Sequence, residues 1–163
     1  MSGKQHTDLV QRGARWLRGQ GFPVIATEIR AIGCREEPDV IGFRESCSAI
    51  IEAKASRADF RADRHKPERQ SGGLGVYRFY LAPPDLIHPK ELPHGWGLLV
   101  TSGRGVAAVV KPTGNWWPGI RTPPHLLDNE WGRFIHAPDQ DAERAVLFSI
   151  ARRASQQQKQ EVF

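Results

Sequence analysis

Leu9, Val10, Ala14, Trp16 and Leu17 recur at roughly helical spacing, with Gln11, Arg12, Arg15 and Arg18 supplying a polar side. That pattern predicts a helix over Thr7–Gly19. Gly19 and Gly21 end it, because glycine readily takes the left-handed conformation that follows a helix. The chain should then run extended from Phe22 to Ile32, with Val24, Ile25 and Ile29 as strand formers and Pro23 confined to the strand's start or to an edge. Two apolar runs follow, Asp39–Phe43 and Ala49–Ala53, parted by the polar Arg44–Ser48. Such runs around a short polar break predict a hairpin. In S-R-A-D a capping hydroxyl at Ser56 precedes a carboxylate at Asp59 by three residues, so a helix should start there, stop at Pro67 and give way to a glycine-rich turn over Ser71–Gly75.

Strands are expected at Val76–Ala82, Gly97–Thr101 and Val106–Lys111. Pro112–Pro138 changes character, being rich in proline, glycine and tryptophan without periodicity; its aromatics need burial, so it reads as an ordered lobe. A last helix is expected over Asp139–Ser155, with Gln156–Phe163 as a frayed tail. The fold class is therefore α/β: a mixed β-sheet flanked by helices. Residues 1–111 form the core, 112–138 the lobe packed on it, and 139–163 the terminal helix and tail.

The bulk numbers change little. At 163 residues the chain has the size of one ordinary domain, and 39% hydrophobic with 25% charged residues suits a globular protein. Two cysteines, Cys34 and Cys47, cannot make a disulfide framework, and free thiols are the plainer reading. No apolar run approaches membrane-spanning length and MSGKQHTDLV lacks the apolar stretch of a signal peptide, so the expectation is a cytoplasmic protein with no membrane contact. A net charge of +5 makes a polyanion a reasonable partner.

Candidate chemistry lies in E-P-D-V-I-G-F, Glu37–Phe43, followed by A-I-I-E-A-K, Ala49–Lys54. Asp39 begins one strand of the expected hairpin and Glu52 ends the other, so antiparallel pairing makes them neighbours. Glu52 and Lys54 lie two apart, hence on one face of an extended chain. Crowded carboxylates repel, and a divalent cation relieves the penalty while Lys54 offsets some charge. Phosphodiester hydrolysis needs this set: hard oxygen ligands for Mg²⁺ or Mn²⁺, and a cation to orient the attacking water or meet developing negative charge. The alternative is an ion pair at a strand end.

Pro38-Asp39 and then Glu52-Ala53-Lys54 after an apolar run resembles the signature of the PD-(D/E)xK nuclease superfamily. Ser56–Pro67, S-R-A-D-F-R-A-D-R-H-K-P, is similar to the corresponding stretch of small bacterial MmcB-like DNA-repair-associated proteins. The resemblance implies a restriction-endonuclease-like core in the order α-β-β-β-α-β, matching the expected elements through Ala82. It also implies that Asp39, Glu52 and Lys54 are catalytic, with Asp39, Glu52 and the Ala53 carbonyl binding the metal. DNA is the implied substrate, with RNA open to the same chemistry. Homodimers are common in the superfamily, though no heptad marks one here.

Supporting residues have competing readings. Asp8 stands where some superfamily members place an additional acid, but the helix dipole explains a first-turn carboxylate at least as well. Glu28 and Glu37 could also lie near the expected site, but nothing distinguishes them from other solvent-facing acids. Arg57, Arg61 and Arg64 fall within an arc of about 60° at roughly 100° per residue, suited to DNA phosphates or to a plain solvated face. Asp63 pairs naturally with Lys66. Arg78 and Tyr80 alternate on one strand face and could hold a phosphate. Trp116 and Trp117 fit a core better than a base-stacking platform. The histidines and cysteines lack zinc-ligand spacing. A catalytically silent nuclease fold that binds nucleic acid or a protein remains an alternative.

Overall fold

The structure, a computed structural model, describes residues 2–69 and 71–162. Helix α1 (Ser2–Gly19) leads into strands β1 (Val24–Thr27), β2 (Val40–Phe43) and β3 (Ser48–Ala53). Helix α2 (Arg57–Asp63) crosses to β4 (Tyr77–Ala82), and β5 (Trp96–Ser102) and β6 (Gly105–Val110) complete a six-stranded sheet in the order β1-β2-β3-β4-β5-β6. The β3–β4 and β4–β5 pairs are parallel and the other three antiparallel, so the sheet is mixed. Two further helices follow, α3 (Asn129–Gly132) and α4 (Gln140–Val162).

Each face of the sheet has its own cover. Leu9, Val10 and Leu17 of α1, with Trp117 and Trp131 from the 112–138 stretch, pack on Ile51, Tyr77, Phe79 and Leu81. On the other face Phe60 of α2 and Ala142 and Val146 of α4 pack with Ile41, Ile50, Tyr80 and Leu98. Every residue of β2, β3 and β4 is consequently buried. That explains why these strands read as continuous apolar runs rather than alternating ones. It also makes Glu52 and Arg78 conspicuous as charges inside them.

The hairpin pairs Val40 with Ile51 and Phe43 with Ser48, and Ser56 caps α2 by accepting from Asp59 N–H at 3.2 Å. Several boundaries depart from the sequence expectations. Helix α1 starts at Ser2, not Thr7. The extended segment ends at Thr27, because Glu28 takes φ 48° and turns the chain, while Ile29 is buried beyond the turn. Helix α4 continues through Gln156–Val162, where fraying was expected; Phe163 lies outside the described residues. This stretch has no buried face, and its glutamine, lysine and glutamate are good helix formers that periodicity does not register. Cys34 and Cys47 are free thiols. No described helix is long and apolar enough to cross a membrane.

Candidate active site

Asp39 immediately precedes β2, and one step beyond the Val40–Ile51 pair puts it opposite Glu52. Backbone groups fix it from two sides. Its carboxylate Oδ2 accepts from Ala53 N–H at 2.8 Å, and its carbonyl accepts from Glu28 N–H at 2.9 Å. The second turn of α1 lies over the same place, where His6 Nε2 lies 3.4 Å from Asp39 Oδ1 and 3.2 Å from Glu28 Oε1. The side chains grade outward, from 17% exposed at Asp39 through 33% at His6 to 62% at Glu28.

Glu52 stands behind this opening and is only 3% exposed. Its Oε1 comes within 3.3 Å of Arg69 Nη2 but makes no hydrogen bond among the described residues. Burial, and next the neighbouring Asp39 carboxylate, push its carboxyl up to about 8 against the opposing pull of Arg69 and Lys54. A carboxylate oxygen left bare in an otherwise apolar strand is costly unless something satisfies it.

Lys54 turns to the α2 side of the sheet and donates to Asp63 Oδ1 at 3.0 Å. Asp63 also accepts from Arg69, Nε to Oδ2 at 2.8 Å and Nη2 to Oδ1 at 2.9 Å, and from the Tyr80 hydroxyl at 2.6 Å. Burial alone would raise this carboxyl, but the bonds and charge of Arg69, with Lys54 and Tyr80, hold it well below the usual carboxylate range. Arg69 further donates to Glu36 Oε1 at 2.6 Å, and Glu36 Oε2 accepts from Leu74 N–H at 2.5 Å. Gly73, at φ 79°, permits this approach: a Cβ there would stand 2.9 Å from the Glu68 carbonyl and 3.1 Å from Glu36 Oε2. A buried cluster of three acids and two bases therefore backs the strand end.

Asp39, Glu52, Ala53 and Lys54 thus gather at one end of adjacent strands. The other expected residues do not join them. Asp8 pairs with Arg12 at 2.8 Å, and it is His6 that α1 brings to Asp39. Arg57 is committed to Glu91 through two bonds of 2.7 Å and to the Leu86 carbonyl, so the expected arginine row reduces to the exposed Arg61 and Arg64. Arg78 is buried, donating to the carbonyls of Gly75, Gly72 and Glu68, and Tyr80 is buried against Asp63. Placing these two on a phosphate is corrected: their strand is covered on both faces and their donors are taken. Asp63 does meet Lys66, at 3.2 Å, but its main partners are Lys54 and Arg69.

Sequence reading gave no site role to His6, Glu36, Asp63 or Arg69, and offered Asp63 only Lys66 as a partner. Two of them carry a visible signal. His6 precedes Leu9 by three residues and Val10 by four, on the stripe that packs on the sheet, and Asp63 follows buried Phe60 by three. Glu36 and Arg69 lie in irregular or single-turn segments and carry none.

No protein-family model matches the chain, and no curated protein does. Among solved structures it is similar to the SPO1766 protein of unknown function from Silicibacter pomeroyi, at 22% identity and a TM-score of 0.62, over 95% of this chain and 89% of that one. That likeness is one of fold.

Proposed function

We propose that the chain is a divalent-cation-dependent nuclease that hydrolyses DNA phosphodiester bonds, built on a restriction-endonuclease-like core running from α1 through β4. The observation that carries the reading is the pairing of Asp39 and Glu52 across adjacent strand ends, with Glu52 Oε1 buried and without a hydrogen bond among the described residues. The donor set fits a hard cation such as Mg²⁺ or Mn²⁺, held by Asp39, Glu52 and the Ala53 carbonyl. Bound there, such an ion supplies Lewis acidity to a phosphoryl oxygen and to the attacking water. Lys54 meets negative charge developing on the phosphate, and Asp63 positions its ammonium, using one of three N–H donors. Arg61 and Arg64 offer exposed charge for the DNA backbone.

A second reading rests on a specific observation. Lys54 is nearly buried and bonded to Asp63, as suits a structural cluster in a nuclease fold that binds without cutting. One assay separates the two. The protein is incubated with supercoiled plasmid, single-stranded DNA and RNA, with Mn²⁺, Mg²⁺ or chelator, beside Asp39→Asn, Glu52→Gln and Lys54→Ala. Cation-dependent cutting lost in all three variants, with binding retained in Lys54→Ala, supports the nuclease. Binding without cutting in the parent supports the silent module.

A further inference from the structure

We infer that His6, Glu28 and Asp39 form a mixed nitrogen–oxygen site for a divalent transition-metal cation, Mn²⁺ by preference. The inference deepens the proposed function and rests on it in sharing Asp39. Its three side chains come from three places in the chain: the second turn of α1, the residue after β1 and the residue before β2. Nevertheless one ligand atom of each lies within 4.8 Å of the other two. Glu28 is brought there by its left-handed backbone and by its N–H bond to the Asp39 carbonyl.

His6 cannot hold both carboxylates by hydrogen bonding alone. A neutral imidazole can offer Nε2 a single proton, which cannot serve both carboxylates equally at 3.2 and 3.4 Å. Among the described residues neither Glu28 nor Asp39 has a lysine or arginine within ion-pair distance. Behind Asp39, Glu52 Oε1 is buried and without a hydrogen bond among the described residues, with Arg69 Nη2 3.3 Å away. One cation would satisfy His6, Glu28 and Asp39 together. The donor types indicate which: an imidazole nitrogen disfavours Mg²⁺ and Ca²⁺, which take oxygen ligands, while the carboxylates suit Mn²⁺. Exposure of His6 and Glu28 leaves the site open to ions from solvent.

The test is titration of the metal-free full chain with MnCl₂ or MgCl₂ by calorimetry and thermal unfolding, with electron-spin-echo spectroscopy of the Mn²⁺ form. The parent should bind Mn²⁺ at least about tenfold more tightly than Mg²⁺ and give a nitrogen modulation from a coordinated imidazole. His6→Ala and Glu28→Gln should each weaken Mn²⁺ binding roughly tenfold or more, and His6→Ala should lose the modulation. Both side chains are partly exposed, so unfolding temperatures in chelator should stay near the parent's; Glu28→Gln, the more exposed of the two, keeps the test open should His6→Ala fold poorly. Unchanged Mn²⁺ affinity in the variants, equal affinity for Mg²⁺, or no nitrogen modulation overturns the inference. Cutting that persists with His6-independent Mn²⁺ binding sinks this site alone. His6-dependent binding without cutting sinks only the nuclease reading.

Discussion

Lys54 Nζ stands 3.0 Å from Asp63 Oδ1, and their side chains are 9% and 0% exposed. Asp63 takes hydrogen bonds from Lys54, Arg69 and Tyr80 together, so one carboxylate is shared by two buried cations. Removing it leaves Lys54 without an ion-pair partner among the described residues, while Arg69 keeps Glu36. Asp63→Asn should therefore destabilise the protein by about 3–5 kcal/mol at pH 7, read by urea unfolding.

The same substitution has a pH signature. The folded protein holds the Asp63 carboxyl below its ordinary value of 3.8, so the stabilisation is present above that value and fades as pH falls through it toward the folded one. The gap between the parent and Asp63→Asn should be full at pH 7 and narrow below about pH 4. A gap constant from pH 7 to pH 3 would show that the charge of Asp63 does not matter to the fold.

Much of the candidate site was readable because hairpin register depends on local pattern. The apolar runs on either side of Arg44–Ser48 place Asp39 opposite Glu52 whatever the rest of the chain does. Ser56 and Asp59 likewise mark the start of α2 by a purely local bond. The cluster behind the site was not readable. Arg69 reaches Glu36 across 33 residues, a contact that only the covered sheet face enforces. Arg78 and Tyr80 misled for the same reason. Alternation locates them on one face, but sequence does not tell that α2, α4 and the Ser71–Gly75 turn close over it. Glu28 could be placed near the site but not told apart from other acids, because its turn depends on a positive φ at a non-glycine position, which has no sequence mark.

Trp117 fills the space between α1 and the sheet, its ring centroid 5.0 Å from those of Phe22 and Tyr77 and 5.2 Å from that of Trp131, all edge-on. Trp117→Ala should cost about 3–5 kcal/mol, because surrounding rings can only partly collapse into the cavity. Trp116 is 45% exposed, and Trp116→Ala should cost well under half as much. Equal losses in chemical denaturation would contradict the burial difference.

If Arg61 and Arg64 touch DNA phosphates, each contributes counterion release. Arg61→Ala with Arg64→Ala should lower the slope of log affinity against log salt by about two, at roughly 0.9 per lost contact, for any duplex sequence. Arg57→Ala should leave that slope unchanged, because its guanidinium is bonded to Glu91 and the Leu86 carbonyl. Its loss should appear in thermal stability instead. An identical slope in the Arg61/Arg64 double variant removes this helix from the DNA interface.

Glu52 gives the opposite pH behaviour to Asp63. Its carboxyl is pushed from 4.5 up to about 8, so the folded state favours the protonated form. Below 4.5 both states are protonated and nothing is lost; as pH rises toward 8, ionisation favours the unfolded chain and stability declines. Each pKa unit corresponds to about 1.4 kcal/mol, so Glu52→Gln in chelator should gain on the parent by at least about 1–2 kcal/mol between pH 5 and pH 9. That is an increase of roughly 2–8 °C in relative Tm. Added Mn²⁺ should reverse the trend, stabilising the parent at pH 9 by more than it stabilises Glu52→Gln, since only an ionised carboxylate repays a cation's desolvation. Parallel Tm-against-pH curves for the two proteins in chelator would mean that Glu52 is already compensated by Arg69, and that its bare oxygen marks no cation site.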